Sequence, residues 1–399
     1  MKINVAVLFG GKSVEHDISI ISALQAIENI DKDKYNVIPI YITRSGVMYS
    51  GEYTSDIEKY KNIPELLKKS VEICLIRESH GVFVRPINKS KILKKKKISI
   101  DVAFPIVHGL NVEDGTIAGF LHMLDIPYVG CDVLSSALGM DKYVSKIILR
   151  EHGVPVLDCI HLTSHNYYLN QAEYIQKIET IPYPVIIKPT DLGSSVGISI
   201  AKDKESLLNS LETAFTYSNE AIIEPAITEL QEINCSVLGD EINAEASECE
   251  EPLNAGEILS FSDKYLSGGG SKGTKSASQK EQSEGMASLQ RRIPADISGQ
   301  MRDNIRTTAI KAFHILGASG IVRIDFMIDK KTNKFYLNEV NTIPGSLAFY
   351  LWTPLGLSYK ELLSQLISFA LKRKREEQEL TFTFESSVLS QGKSSGIKK

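Results

Sequence analysis

Two acidic residues, an asparagine and an arginine stand at alternate positions in two short apolar runs. Arg323 and Asp325 alternate in the first run, and Glu339 and Asn341 alternate in the second. Side chains two apart in a strand point to the same face, so the pattern predicts a hairpin that gathers all four. Carboxylate and amide oxygens suit Mg²⁺, and a guanidinium suits a phosphate. A hairpin with a merely solvated polar face is the competing interpretation.

The predicted hairpin has a polar loop over 329–333 and ends in the turn Thr-Ile-Pro-Gly, which closes at Gly345. Proline and glycine make such a turn rigid, and its backbone N–H groups are then available to an anion.

The N-terminal part has the pattern of a β-α-β unit. A strand is predicted over 4–9, a turn over 10–13, a helix over 14–30 and a strand over 35–43. This order favours a parallel sheet with a ligand site at the carboxyl ends of its strands. A P-loop is excluded because Ala6 stands where the Walker pattern requires glycine, and no G-x-G-x-x-G is present. Glu15 either holds a substrate ammonium or complements the helix dipole.

The middle of the chain contains two glycine-containing loops. His108 and Gly109 precede one that leads into a helix over 117–124 and suits an anion. Lys188 ends a strand before Gly-Ser-Ser-x-Gly, which either covers a triphosphate with backbone amides or is an ordinary turn. The other predicted elements are strands over 101–107, 221–224 and 233–238, and helices over 134–151, 298–316 and 359–375.

Composition bounds the function class. A chain of 399 residues suits two or three domains, and the net charge of −4 argues against a nucleic-acid-binding surface. The basic run 94–97 is interpreted as a solvated loop. Five scattered cysteines without a C-x-x-C spacing predict reduced thiols in a cytoplasmic protein. No apolar run approaches the roughly 18 residues of a membrane span.

Residues 260–292 are rich in Gly, Ser and Lys, and we predict a mobile lid hinged at its glycines. Residues 376–399 are predicted to be a disordered tail. The expected domains are an N-terminal α/β domain over 1–130, a central lobe over 131–225 and a C-terminal lobe over 226–375.

Taken together, the motifs resemble those of the ATP-grasp superfamily and, within it, the D-alanine–D-alanine ligase family. The resemblance runs from about Asn4 to Ile367. It is carried by Gly10-Gly11-x-Ser13-x-Glu15, His108-Gly109-x-x-x-Glu113-Asp114-Gly115, Met140-Asp141-Lys142, Lys188-Pro189, Gly193-Ser194-Ser195-x-Gly197, Arg323-x-Asp325 and Asn338-Glu339-x-Asn341-Thr342-x-Pro344-Gly345. It implies an α/β fold in which a Rossmann-like parallel-sheet domain precedes a two-lobed ATP-grasp fold.

The resemblance also implies a role for each matching residue. The ATP contacts would be Lys142, Lys188, Glu224, Ala226, Ile227, Glu232 and Lys264, with Glu224 at the adenine amino group, Glu232 at the ribose and Lys264 at the γ-phosphate. Asp325, Glu339 and Asn341 would hold two Mg²⁺ ions, or Mn²⁺. Glu15 would hold the ammonium of the first D-alanine and connect through Ser194 to Tyr265 in the lid, with His108 and Ser195 among the substrate contacts. Arg323 and the Gly345 N–H would stabilise the oxyanion.

The implied reaction joins two D-alanines through an acyl phosphate at the expense of ATP, for peptidoglycan synthesis. The lid is longer than the family leads us to expect. Tyr350 and Leu351 stand where the family has a Ser-Leu pair that binds the carboxylate of the second substrate. Two alternatives therefore remain: a sister ligase that uses D-serine or D-lactate, and a nucleotide-binding homologue without turnover. The expected partners are small molecules and a second copy of the chain, without membrane or nucleic acid.

Overall fold

Three β-sheets form the frame of the part of the protein that the structure describes. The computed structural model describes residues 2–87, 97–193, 195–253 and 291–381. The strands are β1 Ile3–Gly10, β2 Tyr35–Ile42, β3 Met48–Ser50, β4 Val71–Glu78, β5 Gly81–Pro86, β6 Ile98–Ile100, β7 Val102–Ile106, β8 Ile160–Thr163, β9 Val185–Pro189, β10 Ser199–Ala201, β11 Glu220–Pro225, β12 Leu230–Gly239, β13 Ala244–Pro252, β14 Arg291–Arg292, β15 Gly320–Asp329 and β16 Lys334–Asn341.

Ten α-helices and four short 3₁₀ segments are found in the part of the chain that the structure describes. The helices are α1 His16–Asn29, α2 Ile63–Lys69, α3 Thr116–Met123, α4 Val133–Met140, α5 Lys142–Glu151, α6 Ser164–Leu169, α7 Gln171–Ile178, α8 Lys204–Tyr217, α9 Gly299–Ile315 and α10 Tyr359–Gln378. The 3₁₀ segments are Glu52–Ser55, Ile57–Asn62, Gly345–Leu351 and Thr353–Leu355. None of these helices is both long and apolar enough to cross a membrane.

The first sheet has the strand order β6-β5-β4-β3-β2-β1-β7, and its centre is parallel as predicted. Residues 5–9 of β1 are at most 1% exposed because alternate side chains enter two different cores. A strand that is covered on both faces has a continuous run of apolar residues, which is why β1 could be predicted from the sequence. On the β2 side, β3 to β6 extend this parallel centre with antiparallel pairings, so the complete sheet is mixed.

The second sheet, β10-β9-β11-β8, is antiparallel, and the third has the order β14-β13-β12-β15-β16. The predicted hairpin is confirmed as β15 and β16. Arg323 pairs with Asn341 and Asp325 with Glu339, after which the register shifts by one residue. The shift leaves Asn338 as a bulge, and a bulge redirects a side chain.

The single helix predicted over 134–151 was wrong, because the chain breaks at Asp141 into α4 and α5. The Asp141 carboxylate accepts hydrogen bonds from the backbone N–H groups of Tyr143 and Val144, both at 2.9 Å. Aspartate favours this capping position over a helix interior since its side chain competes for backbone donors.

Two more boundaries differ from the prediction. Of the predicted lid, residues 260–290 lie outside the described residues, while Arg291–Arg292 form β14 against β13. Of the predicted tail, residues 382–399 lie outside the described part, while 376–378 belong to α10. The sequence assigns α10 to the C-terminal lobe, yet Leu362 and Leu366 share one hydrophobic core with Val102 of the N-terminal sheet.

Candidate active site

The polar face of the third sheet holds the side chains of Arg323, Asp325, Glu339 and Asn341. Arg323 donates from Nε and Nη2 to the two carboxylate oxygens of Asp325, each at 2.7 Å. Asn341 donates to Asp325 Oδ2 at 3.1 Å. Burial opposes the Arg323 charge, but the paired carboxylate more than compensates and raises the pKa of Arg323. The structure therefore brings a permanent cation and a set of oxygen donors together on two adjacent strands.

The donors of this face suit Mg²⁺ chemically. Asp325, Glu339 and Asn341 offer only oxygen ligands, and few enough to leave room for water and phosphate oxygens. Among the residues described, no three His, Cys, Asp or Glu side chains converge as a metal site. A cation here would rest on two carboxylates, an amide and oxygens from a bound nucleotide.

A small cavity of about 40 Å³ joins this face to the N-terminal domain. Its lining includes Glu15, Gly109, Glu113, Gly139, Met140, Lys142, Leu192, Gly193, Glu339, Val340, Asn341 and Thr342. Lys142 Nζ lies 3.5 Å from Glu339 Oε2 and donates to the Leu192 carbonyl at 2.6 Å. The cavity thus brings together a carboxylate, a lysine and two oxygen ligands that the sequence analysis predicted separately for an ammonium, a phosphate and a metal.

Glu15 is held close to the glycine loop after β7. Gly109 has φ +85°, and a Cβ on it would collide with Ser13 Oγ and lie 3.0 Å from Glu15 Oε2. Glycine is therefore required both for the backbone conformation and for this close approach. On the other side, a Cβ on Gly193 would lie 3.2 Å from Glu15 Oε1. Glu15 is 7% exposed, so the two glycine loops enclose its carboxylate.

A buried triad of charges lies where the sequence predicts contacts with the nucleotide. Glu224 lies 2.6 Å from Lys146 Nζ and 2.7 Å from Lys188 Nζ, one lysine on each carboxylate oxygen. Burial alone would raise the pKa of Glu224, but the two lysines outweigh it and lower the pKa to about 2. Lys188 also donates to Oδ1 of the bulged Asn338 at 2.8 Å. If Glu224 also contacts adenine, it must do so through a carboxylate oxygen that already forms an ion pair with a lysine.

Glu113 connects the loop after β7 to the turn after β16 by hydrogen bonds. Its Oε2 accepts from the Gly109 N–H at 3.0 Å, and its Oε1 accepts from the Ile343 N–H at 2.8 Å and the Thr342 hydroxyl at 3.3 Å. Burial raises the pKa of Glu113, which the hydrogen bonds partly offset. The sequence motif contained this residue but gave it no role.

His108 is buried and engaged at both ring nitrogens. Nδ1 lies 2.8 Å from the Ile343 carbonyl and Nε2 lies 3.1 Å from Ser22 Oγ. Burial lowers the pKa of His108 to about 4, so the ring is neutral near pH 7. Its predicted contact with the substrate carboxylate stays a prediction, since both ring nitrogens already contact protein groups.

The segment after Gly345 is strained. Ser346, Leu347 and Ala348 have φ values of 51°, 51° and 48°. For residues other than glycine, such left-handed conformations cost about 1–2 kcal/mol each. Strain of this kind persists only where surrounding contacts impose it, and it clusters at functional sites.

Tyr350 and Leu351, the predicted second-substrate pair, are both buried. The Tyr350 hydroxyl donates to Glu250 Oε1 at 3.3 Å, and the Arg291 guanidinium carbon lies 3.8 Å from its ring centroid. Burial, followed by the Glu250 charge, raises the pKa of Tyr350 to about 12. The Leu351 side chain is 0% exposed in the hydrophobic core, so only the backbone of Leu351 is available for the predicted contact with the second substrate. Glu250 and Arg291 were not predicted from the sequence to belong to the site.

The other predicted residues lie at the edges of this arrangement. Ala226 follows β11 and donates its N–H to the Pro184 carbonyl at 3.0 Å, and Ile227 follows it. Glu232 is exposed on β12, and Ser195 has φ 60°. Ser194, Lys264 and Tyr265 lie outside the described residues, so the predicted connection from Glu15 to the lid stays a prediction.

Lys146 and Ser22 are two residues of the site that were not predicted from the sequence. Lys146 stands one helical turn after Lys142 and is 1% exposed. The i, i+4 spacing was the available signal, because it places both lysines on one helix face. Ser22 lies two turns into α1, and no local signal distinguishes it from a packing residue.

Comparison with known proteins agrees with this geometry. The family models described as D-ala D-ala ligase N-terminus and D-ala D-ala ligase C-terminus match residues 4–131 and 148–368. The D-alanine–D-alanine ligase of Thermosipho africanus is 38% identical over 389 residues, covering 97% of this chain and 98% of the relative.

Solved structures give the same result. The D-alanine–D-alanine ligase of Coxiella burnetii has a TM-score of 0.76 at 28% identity, covering 95% of this chain and 96% of that one. The VanG D-Ala:D-Ser ligase of Enterococcus faecalis has a TM-score of 0.74 at 29% identity, covering 93% and 100%. From the two family models and the curated relative, the chain belongs to the D-alanine–D-alanine ligase family.

Proposed function

We propose that this protein is an ATP-dependent ligase that joins two D-alanines into D-alanyl-D-alanine for peptidoglycan synthesis. One observation carries the proposal: Glu15, Lys142, Glu339 and Asn341 line a single cavity beside Arg323 and Asp325. A carboxylate for an ammonium, a cation for a phosphate and oxygen donors for a metal are what the activation of an amino acid by ATP requires.

In the first step, the carboxylate of the first D-alanine attacks the γ-phosphate of ATP and forms an acyl phosphate, releasing ADP. Glu15 holds the substrate ammonium in the enclosure between the two glycine loops. Lys142 and Lys188 contact the phosphates, and the Glu224 carboxylate orients Lys188. Catalysis of this step is positioning and charge neutralisation.

In the second step, the amine of the second D-alanine attacks the acyl carbon, and phosphate leaves from the tetrahedral intermediate. Arg323 and the Gly345 N–H stabilise the oxyanion of that intermediate. Asp325 holds the guanidinium by two hydrogen bonds, so the donor needs no reorganisation during the reaction.

The proposed metal is Mg²⁺, as two ions held by Asp325, Glu339 and Asn341, with Mn²⁺ as a substitute. When bound, it supplies positive charge that neutralises the phosphate oxygens. The remaining proposed contacts are Ala226, Ile227, Glu232 and Lys264 with ATP, and His108, Ser194, Ser195, Tyr265, Tyr350 and Leu351 with the substrates or with Glu15.

The identity of the second substrate is the open part of the proposal. Tyr350 is buried against Arg291 and Glu250, where the family has a serine for the acceptor carboxylate. This observation favours a sister ligase that uses D-serine or D-lactate as the second candidate. A phenol already bonded to Glu250 is a poorer donor to a substrate carboxylate than a serine.

We also propose a cytoplasmic homodimer. ATP is a cytoplasmic substrate, and the five cysteines are free thiols. Met123 of α3 and Leu134 of α4 are apolar side chains that are 88% and 66% exposed, on two helices that contact each other, and exposed apolar surface of this kind suits association. The proposed domains remain residues 1–130, 131–225 and 226–375. Light scattering of the purified protein measures the dimer.

Release of ADP and formation of product, measured with D-alanine paired with D-alanine, D-serine or D-lactate, tests the function. We expect dipeptide from D-alanine alone. Arg323→Ala should abolish dipeptide formation and keep ATP binding, whereas Arg77→Ala, which breaks an exposed ion pair with Asp125, should change neither. Consumption of ATP without any coupled product, or unchanged turnover in Arg323→Ala, would contradict the proposal.

A further inference from the structure

A chain of hydrogen bonds connects α1 to the strained turn after Gly345. The Ser346 N–H donates to Ser22 Oγ at 3.0 Å, and Ser22 Oγ lies 3.1 Å from His108 Nε2. The Ile343 carbonyl can only accept, so His108 Nδ1 carries the proton and Nε2 is the acceptor. The Ser22 hydroxyl therefore donates to His108 and accepts from Ser346. The His108 Nδ1–H, the Ser22 hydroxyl and the Ser346 N–H each therefore have an acceptor.

The turn needs such a restraint. Ser346, Leu347 and Ala348 are consecutive left-handed residues, a conformation that residues with a Cβ avoid unless their surroundings impose it. Burial of Leu347 and Ala348 restrains two of them. The Ser22 hydroxyl binds the backbone of the first one, directly after Gly345.

The same helix serves both substrates. Glu15 precedes α1, and Ser22 follows it by seven residues, or about 10 Å along a helix. Both Ser22 and His108 are buried, at 1% and 4% exposure. A rigid helix thus fixes the carboxylate proposed for the first ammonium relative to the turn that carries Gly345 and Tyr350.

We propose that Ser22 is a positioning residue for the second half of the reaction. It holds the turn 345–351 in its left-handed conformation, and His108 keeps the hydroxyl in the required orientation. This inference rests on the proposed function. Formation of the acyl phosphate uses Glu15, Lys142 and the phosphate-binding groups, so it does not need the turn. Capture of the acyl phosphate by the second amine does need it.

Ser22→Ala is therefore expected to separate ADP release from dipeptide formation. Acyl phosphate that is not captured reacts with water and returns D-alanine and phosphate, so each ADP is accompanied by less than one dipeptide. The KM for the second D-alanine should rise about tenfold, as for one lost hydrogen bond, with the KM for ATP unchanged. Ser22→Thr retains the hydroxyl and should restore one dipeptide per ADP.

Ser19→Ala is the matched control. Ser19 is a buried serine on the same helix that donates to the Ile106 carbonyl at 2.6 Å and accepts from the Gly10 N–H at 2.7 Å. It has no bond to the turn, so its loss should lower stability and leave one dipeptide per ADP.

Hydrogen exchange tests the role of Ser22 in the turn without depending on whether the protein has the proposed activity. Amide hydrogen exchange in peptides covering 343–350 should be faster in Ser22→Ala than in wild type and unchanged in Ser19→Ala. If Ser22→Ala does not fold, Ser22→Cys, which is similar in size but bonds weakly, should show the same direction.

Two results would overturn the inference: unchanged exchange at 343–350, or full coupling of ADP to dipeptide in the Ser22 variants. A wild-type protein that forms no dipeptide would instead refute the proposed function. The exchange measurement would still decide whether Ser22 holds the turn.

Discussion

Replacing Glu224 with glutamine should destabilise the protein more than any surface charge change. The Glu224 carboxylate is 0% exposed and lies 2.6 and 2.7 Å from two lysine ammonium groups. Lys146 and Lys188 are themselves buried, at 1% and 4% exposure. The triad has a formal charge of +1, and Glu224→Gln leaves both lysine charges without the carboxylate that compensates them.

Removing one partner of a buried ion pair costs about 3–5 kcal/mol, because the other charge stays buried and uncompensated. One carboxylate serves two cations here, so we expect a loss near the upper end, about 5 kcal/mol. A matched surface change is Glu58→Gln, which breaks an ion pair with Lys61 of the same 2.6 Å length, at side chains 51% and 68% exposed. That variant should keep almost all of its stability.

The pH dependence supplies a second criterion. Burial already lowers the pKa of Lys146, and loss of Glu224 should lower it further. A lysine whose pKa is lower in the folded state binds fewer protons there than in the unfolded chain. The stability of Glu224→Gln should therefore rise as the pH rises toward about 10.4, the pKa of lysine in the unfolded chain, with a smaller rise in wild type.

Urea unfolding measures both effects. Trp352 is the single tryptophan of the chain and is 2% exposed, so its fluorescence reports unfolding without a label. The double variant Glu224→Gln/Lys146→Met restores the original charge of +1 and should recover part of the loss. A loss below about 1 kcal/mol would refute the reasoning, since it would mean that the triad is solvated. So would the absence of a rise with pH.

Three further predictions concern the capping residue, the oxyanion donor and the buried histidine. Asp141→Ala removes the cap of α5, so it should cost about 1 kcal/mol in urea unfolding. Because α5 begins with Lys142, the same variant should raise the KM for ATP in an ADP-release assay; an unchanged KM would mean that the cap does not position this lysine. Arg323→Lys cannot reproduce the two bonds to Asp325, so dipeptide formation should fall about a hundredfold with little change in ATP binding. A loss of only a few-fold would show that charge alone suffices. The pKa of His108 is lowered to about 4 in the folded state. The unfolded chain, where the pKa is about 6.5, binds the proton first, so stability should rise by about 1.4 kcal/mol per pH unit from about pH 4 to 6.5. His108→Gln should flatten that slope, and an equal slope in the variant would exclude His108 as its source.

The hairpin was predictable because its signal is local. Alternation with a period of two decides which side chains share a face, and Arg323, Asp325, Glu339 and Asn341 need no other part of the chain for this. The register shift that brings the Asn338 side chain into hydrogen-bonding distance of Lys188 was not predictable. A bulge depends on how two strands pair, and the pattern of one strand does not specify that.

The residues that position the site through contacts with other residues were the ones that could not be predicted from the sequence. From the sequence, Lys146 on an amphipathic helix would be interpreted as a solvated lysine. In the structure it is a buried cation, because Glu224 on β11 forms an ion pair with it. Ser22 reads as a small packing residue, and its role exists only because His108 and Ser346 converge on it. Residue types therefore indicate which groups are suited to bind ligands, since the chemistry of binding restricts those types.

The supporting groups are restricted by geometry between distant segments. Glu113 connects the loop after β7 to the turn after β16, Glu224 connects β11 to α5, and Ser22 connects α1 to the turn after Gly345. Each connection joins a different pair of segments, so each loss should alter a different kinetic constant. Glu224 variants should act on the KM for ATP and Ser22 variants on the KM for the second amino acid. A uniform loss of activity across both would mean that the site responds as one unit and that these connections only stabilise the fold.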